Sequence, residues 1–286
     1  MSKIQTLVDH INDADAIVLG AGSGMSNAAG MDFWYEASPL FMKYMKDFYD
    51  KYHFKGLFNG FYNRFESEEE HWAFLLKDAE MVRSIPPQKP TYEYLQKLLS
   101  TKPYHIITTN QDGLFKRFFP ADKVSEIQGS FEFFQSSNPK TDRHLYPFTP
   151  ILDQLLPKIK DNRLPKELIP TSDVDGAPLI PWVRGPEFLE GQRYYEEYEK
   201  ANRFIGKYRD KKIVFIEIGV GRMTPMFIQE PFWEMTNYLP HAFYVNFNPK
   251  DALTNPAIED KSLLINGDTN EALKQTVELF KEEHHD

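Results

Sequence analysis

Apolar residues along the chain fall into short runs closed by turn residues. DAIVLG at 15–20 is the first, and similar runs recur at 104–108 (YHIIT), 124–127 (VSEI), 213–218 (IVFIEI), 242–247 (AFYVNF) and 262–266 (SLLIN). Runs of this length predict strands buried on both faces, the kind that build parallel sheets. Helical spacing appears between or after them: Tyr92, Leu95 and Leu99, then 225–238, then 270–283. The first residues predict a polar amphipathic helix leading into the first strand. Strands alternating with helices predict an α/β fold, a six-stranded parallel sheet wound in both directions.

Two segments break the rhythm. Across 35–85, Leu40, Phe41, Tyr44, Met45, Phe48, Tyr49 and Tyr52 recur at three- and four-residue steps and share one helical face, which predicts a helical insert whose aromatic stripe packs into a core. The stretch 136–204 is proline-rich from Pro139 to Pro186 and ends in a charged helix around GQRYYEEYEKANRF. Its irregularity predicts a small extended module rather than a series of sheet strands. The remainder, 1–34, 86–135 and 205–286, is the expected sheet domain.

Composition narrows the chemistry. The 286 residues include no cysteine, so disulfides, thiolate catalysis and cysteine-built zinc sites are excluded. The eight histidines show no metal-ligand spacing, and the pair His284–His285 is expected at a frayed end, so no metal is predicted. A net charge of −9 argues against a nucleic-acid partner. No leader pattern opens the chain and no run reaches the roughly 18 apolar residues of a membrane span. A cytoplasmic protein without a membrane partner is expected.

Candidate chemistry sits at the ends of the predicted strands. The first junction, Gly20-Ala21-Gly22-Ser23-Gly24-Met25-Ser26-Asn27-Ala28-Ala29-Gly30, lets backbone approach a pyrophosphate while a helix N-terminus faces its charge. It departs from the strict G-x-G-x-x-G spacing, with Met25 at the third glycine. A second junction reads Thr109-Asn110-Gln111-Asp112-Gly113-Leu114, and Ile127-Gln128-Gly129-Ser130 closes the next short strand. Open α/β sheets bind ligands on this side, outside the carboxyl ends of their strands.

At these residues the chain resembles the sirtuin family. Gly20-Ala21-Gly22, Asp32-Phe33, Thr109 to Leu114, Gln128-Gly129, Gly219-Val220-Gly221, Asn246 and Gly267-Asp268 follow the family's signposts in order, across about half of the chain. The resemblance implies a Rossmann-like sheet domain with NAD as consumed co-substrate. Departures are equally informative. Thr109 stands where the family has Gln, and Trp34 where it has Arg. The 22–30 loop is longer and lacks its proline, and the zinc cysteines are absent, leaving a zinc-free module. Gln128 occupies the place of the catalytic histidine.

A glutamine amide cannot take a proton as imidazole does, yet it can hydrogen-bond ribose hydroxyls. Lysine deacylation is therefore disfavoured, while nicotinamide departure, which needs positioning and stabilisation of developing positive charge, can survive on Asn110 and Asp112. The combination resembles the class M, macrodomain-linked sirtuins. Their G-A-G-x-G-M-S-x-A-A-G loop and G-V-G-x-x-T-P stretch match residues 20–30 and 219–225, and Pro231-Phe232-Trp233 follows. This implies protein ADP-ribosyl transfer to a lipoylated carrier related to the glycine cleavage H protein, reversed by a macrodomain hydrolase. An NAD glycohydrolase and a non-catalytic NAD or ADP-ribose sensor are the alternatives.

By the same resemblance, Asn110, Asp112 and Gln128 form the catalytic set. Gly20, Ala21, Gly22 and Gly24 line the pyrophosphate. Ser26 or Asn27 lies near the ribose, unless Ser26 is a helix cap. Asp32 and Phe33 flank the nicotinamide and Thr109 joins the cofactor set, while Trp34 reads as part of a packed lid. Gly219 and Gly221 pass under the adenosine side, Asn246 binds its ribose, and Asp268 and Thr269 sit beside adenine. Helix capping is the alternative for Asn110 and Asp268, a first-turn acid for Asp112, and a surface turn for Gln128.

Overall fold

The computed structural model describes residues 2–283; His284–His285 lies outside them. Six parallel strands form the main sheet: β1 (Ala16–Ala21), β2 (Tyr104–Thr108), β3 (Val124–Glu126), β7 (Ile213–Ile218), β8 (Ala242–Asn248) and β9 (Ser262–Asn266), in the order β3-β2-β1-β7-β8-β9. The order reverses between β2 and β7 on either side of β1, which opens the crevice that doubly wound sheets use for ligands. β1 and β7 are buried along their whole length because both faces are covered.

One face carries α1 (Lys3–Asp13), α2 (Ser23–Ala28), α6 (Thr91–Leu99), α7 (Leu114–Phe118) and α11 (Thr269–Glu283), packed with Ile17, Leu19, Val214 and Ile216. The other carries α9 (Gln192–Tyr208) and α10 (Gln229–Tyr238), packed with Val18, Phe215 and Tyr244. Alternate residues of one strand feed the two layers, as the two-residue period requires. The helical stretch expected from 225 is a 3₁₀ turn at Pro225–Phe227 before α10 begins.

The insert forms α3 (Pro39–Tyr52), α4 (Leu57–Phe61) and α5 (Glu68–Ser84). Phe41, Met45 and Phe48 of the stripe are buried, and Leu40, Tyr44, Tyr49 and Tyr52 pack against the same core. Phe48, Phe54, Phe61 and Phe65 meet Phe74 ring to ring, so the stripe is core packing, as its spacing predicts.

The proline-rich stretch, expected as an extended module rather than a series of sheet strands, supplies two short strands to a small second sheet. β4 (Gly129–Ser136) lies between β5 (Leu145–Pro147) and β6 (Leu179–Val183) in an antiparallel sheet. Pro147 and Pro181 sit on the two outer strands, where a missing N–H can face away from the ladder. α8 (Phe148–Leu155) packs Phe148, Leu152 and Leu155 against Trp72, Leu76 and Ala79 of α5, tying the module to the insert.

Asp142 is the polar hub of the module. Its buried carboxylate accepts from the Tyr146 and Ser172 hydroxyls, each at 2.7 Å, and from the His144 backbone N–H at 2.9 Å. These donors outweigh desolvation and hold its pKa down at about 2. Among the described residues, no group of three or more His, Cys, Asp or Glu side chains is placed to hold a metal ion.

Candidate active site

The carboxyl ends of β1, β2 and β7 are stitched together by backbone. Gly22 N–H donates to the Ile218 carbonyl and Gly24 N–H to the Gly219 carbonyl, each at 3.0 Å. Thr109 N–H and the Thr108 hydroxyl both reach the Ala21 carbonyl, at 3.1 and 2.9 Å. A Cβ on Gly24 would lie 2.5 Å from Gly219 Cα, and Gly219 itself takes a φ of +61°. Gly22, Gly24 and Gly219 are thus required by the contact of two loops.

The predicted glycines are not equivalent. Gly20 lies inside β1, and the space its Cβ would take is filled by Ile228 and Phe232, which makes it a packing residue of the α10 face. Gly221 faces open space.

Ser26 joins the two polar residues of the second junction. It lies within α2, is buried, and does not cap that helix, whose N-cap is Gly22. Its hydroxyl donates to Asp112 Oδ2 at 2.7 Å and accepts from Asn110 Nδ2 at 3.2 Å. Asp112 Oδ1 accepts from Leu114 N–H at 3.0 Å and fixes the turn into α7. Neither Asn110 nor Asp112 is that helix's N-cap, which is Gly113 at φ +66°. Burial pushes the Asp112 pKa up, opposed by the Ser26 hydroxyl and the Leu114 N–H.

Gln128 is buried rather than on a surface turn. Its side-chain amide nitrogen donates to the Ile127 carbonyl at 3.1 Å, and its backbone carbonyl accepts from Gln111 Nε2 at 3.1 Å and Arg184 N–H at 2.9 Å. Arg184 has no distinguishing sequence signal, yet it follows β6 and lies directly beside Gln128. Its guanidinium stands over the rings of Phe188, Tyr194 and Phe227 and pairs with Glu190 at 2.7 Å, spanning from the module to the loop after β7.

Of the remaining predicted residues, Asn246 and Asp268 have partners of their own. Asn246 points to the α10 layer, where its Nδ2 donates to Glu217 Oε1 at 3.0 Å and to the Tyr244 hydroxyl at 2.8 Å. Glu217, raised to about 7 by burial, also accepts from Gln229 and Tyr244. Asp268 accepts from Glu271 N–H at 3.1 Å, the capping geometry at the start of α11, beside buried Thr269. Phe33 is buried and Asp32 half-buried in the turn before α3, with Trp34 packed on Phe33. Next to them Tyr35 donates to the Ser23 hydroxyl at 3.1 Å.

No protein-family model matches the chain. It is 30% identical over 273 residues to a protein ADP-ribosyltransferase of Staphylococcus aureus, covering 93% of this chain and 84% of the relative. The chain belongs to the family of sirtuin-fold protein ADP-ribosyltransferases. A second member, from Fusarium oxysporum f. sp. cubense, is named "Probable bifunctional ADP-ribose hydrolase/ADP-ribosyltransferase" and is 27% identical over 230 residues, 38% of its own length. Among solved structures, Sir2Tm bound to a propionylated peptide superposes with a TM-score of 0.61 at 18% identity over 97% of this chain and 98% of that one. A Sir2 homologue in complex with NAD gives 0.57 at 15% identity over 98% and 94%. At these identities the structures establish the sirtuin fold, and the transferase family comes from the sequence relatives. The six-stranded parallel sheet is as the sequence predicts.

Proposed function

We propose that this protein transfers ADP-ribose from NAD to a protein acceptor and releases nicotinamide. In that reaction the bond between ribose C1′ and the nicotinamide nitrogen breaks, and its electron pair neutralises the pyridinium. The acceptor nucleophile forms the new bond to C1′ and gives up its proton. The observation that carries the reading is the Ser26 bridge. It locks Asn110 and Asp112 into one buried polar unit at the crevice, and in this reading the amide of Gln128 takes the place of the proton-abstracting imidazole that deacylation needs.

In this reading Asn110 and Asp112 orient the nicotinamide ribose and stabilise charge developing on it, within a preorganised low-dielectric site. Gln128 orients ribose hydroxyls. The loop at Ala21 to Gly24 and the 219–221 turn hold the pyrophosphate and adenosine side, with Asp32, Phe33 and Thr109 around the nicotinamide end. Asn246, Asp268 and Thr269 serve the adenosine half. The acceptor is a lipoylated carrier related to the glycine cleavage H protein, a macrodomain hydrolase reverses the modification, and the setting is the cytoplasm. The bifunctional name of the fungal relative supports pairing of the two activities.

The test is incubation with NAD labelled in the adenosine, with and without a lipoylated carrier, following free nicotinamide and protein-bound label together. Carrier-dependent label lost in Asn110→Ala is expected. Nicotinamide release without bound label would replace the transferase with a glycohydrolase. NAD binding without either signal would replace it with a sensor.

A further inference from the structure

Gln111 stands between Asn110 and Asp112 in the chain, and its contacts run to the other side of the site. Its side-chain Nε2 donates to the Gln128 backbone carbonyl at 3.1 Å, and its own backbone carbonyl accepts from Phe131 N–H at 3.1 Å. One residue of the β2–α7 turn therefore holds the chain on both sides of Gly129. The turn it holds is sharply defined. Ile127 N–H donates to the Thr108 carbonyl at 3.0 Å, Gly129 takes a φ of +82°, and a Cβ there would meet the Trp182 carbonyl oxygen at 2.1 Å.

The Gln128 carbonyl is shared between two parts of the fold. Arg184 N–H, just after β6 in the small module, reaches it at 2.9 Å, and Gln111 reaches it from the carboxyl end of β2. A peptide unit is planar, so fixing the direction of its carbonyl fixes the dihedral angles on either side. The two donors thus set how the Gln128 side chain leaves the backbone. The backbone contacts that join Gly22 to Ile218 and Gly24 to Gly219 involve neither Gln111 nor Gln128. Removing the Gln111 donor should therefore disturb orientation at the ribose while sparing the dinucleotide loops.

We propose that Gln111 is a positioning residue for the reaction, tying the Asn110–Asp112 side of the site to Gln128 so that the groups around the nicotinamide ribose keep one geometry. The inference rests on the transferase reading above, in which Gln128 orients ribose hydroxyls. Gln111 acts through the Gln128 peptide.

Two variants of similar length isolate its donor. Gln111→Met cannot hydrogen-bond to the carbonyl. Gln111→Glu can donate only while its carboxyl holds a proton, and once ionised it sets one acceptor against another. Asp112, Glu132, Lys116, Arg117 and Arg83 border the same cavity as residue 111, and Glu126 pairs with Lys116 at 2.6 Å. Both variants keep all of these groups, so the ratio of their rates isolates the introduced carboxyl.

The wild type and both variants are given NAD and a lipoylated carrier, and kcat and KM for nicotinamide release are measured from about pH 4 to 8. Urea denaturation checks folding, and hydrogen exchange over 127–131 is followed without substrate. At neutral pH Gln111→Met should lose roughly tenfold in kcat, with KM for NAD held within about twofold. The kcat of Gln111→Glu relative to Gln111→Met should rise severalfold as pH falls toward the carboxylate range. Exchange over 127–131 should be faster in Gln111→Met than in the wild type.

A folded Gln111→Met with unchanged kcat, a loss carried by KM alone, or a Glu-to-Met ratio flat across pH would overturn the proposal and leave Gln111 a packing residue of the turn. If Gln111→Met does not fold, the same pH comparison is made between Gln111→Glu and the wild type. A wild type that releases no nicotinamide would sink the transferase reading and this role with it. Faster exchange in the variants would then show the hold on Gln128 to be structural only.

Discussion

The Ser26 hydroxyl donates to the Asp112 carboxylate at 2.7 Å across 86 residues of chain, and both side chains are buried. One hydroxyl thereby fixes a carboxylate from the β2–α7 turn and, through its lone pair, the amide of Asn110. Ser26→Ala leaves the Asn110 N–H without its acceptor and strips a donor from a buried acid. Loss of a preorganised hydrogen bond of this kind costs about 10²–10³ in rate, so nicotinamide release should fall on that scale. Without the Ser26 donor the raised Asp112 pKa rises further, so the acid limb of the pH–rate profile should move to higher pH. An unmoved acid limb would show that Asp112 does not titrate in the reaction.

The glycines of the crevice should separate packing from binding. Gly24→Ala drives a methyl group to within 2.5 Å of Gly219 Cα, backbone that cannot yield without moving the loop after β7. Overpacking of this sort costs about 1–3 kcal/mol, and urea denaturation should report it together with weaker NAD binding. Gly221→Ala meets nothing within 4 Å, so its stability should be unchanged. A rise in KM for NAD without any loss of stability would place Gly221 against the ligand.

Asp142 should make the small module acid-sensitive. Its folded pKa of about 2 lies below its ordinary value, so its contribution is complete above that ordinary value and disappears as pH falls toward 2. Asp142→Ala should therefore loosen the module at neutral pH, read as faster proteolysis between 137 and 178, and should flatten the low-pH loss of stability. Asp142→Asn retains one acceptor oxygen and should fall between wild type and alanine.

What the sequence discloses follows from where its physics is local. Each main-sheet strand is a self-contained apolar run, so all six are visible, and the polar residues just beyond β2 are visible with them. β5 and β6 are hidden because Pro147 and Pro181 resemble interruptions until their places on the outer strands are known. Long-range partners are hidden for a different reason. Nothing near Ser26 announces Asn110 or Asp112, nothing near Arg184 announces Gln128, and nothing near Asn246 announces Glu217, which holds its amide nitrogen.

Asp78 offers the sharpest test of the packing of the helical insert. It lies in α5 with no exposed surface, and among the described residues neither carboxyl oxygen has a hydrogen-bond partner. Burial alone pushes its pKa well above the ordinary value, so the folded chain keeps a proton that the unfolded chain releases. The sign follows directly. Above the unfolded pKa the unfolded state binds fewer protons, so stability falls as pH rises until the folded pKa is reached. A single group contributes a slope of about 1.4 kcal/mol per pH unit over that window. Asp78→Asn cannot ionise and should remove this slope, gaining on wild type progressively as pH rises above the ordinary carboxylate range in urea denaturation. Parallel stability curves for the two proteins would mean that Asp78 finds a partner or solvent in solution.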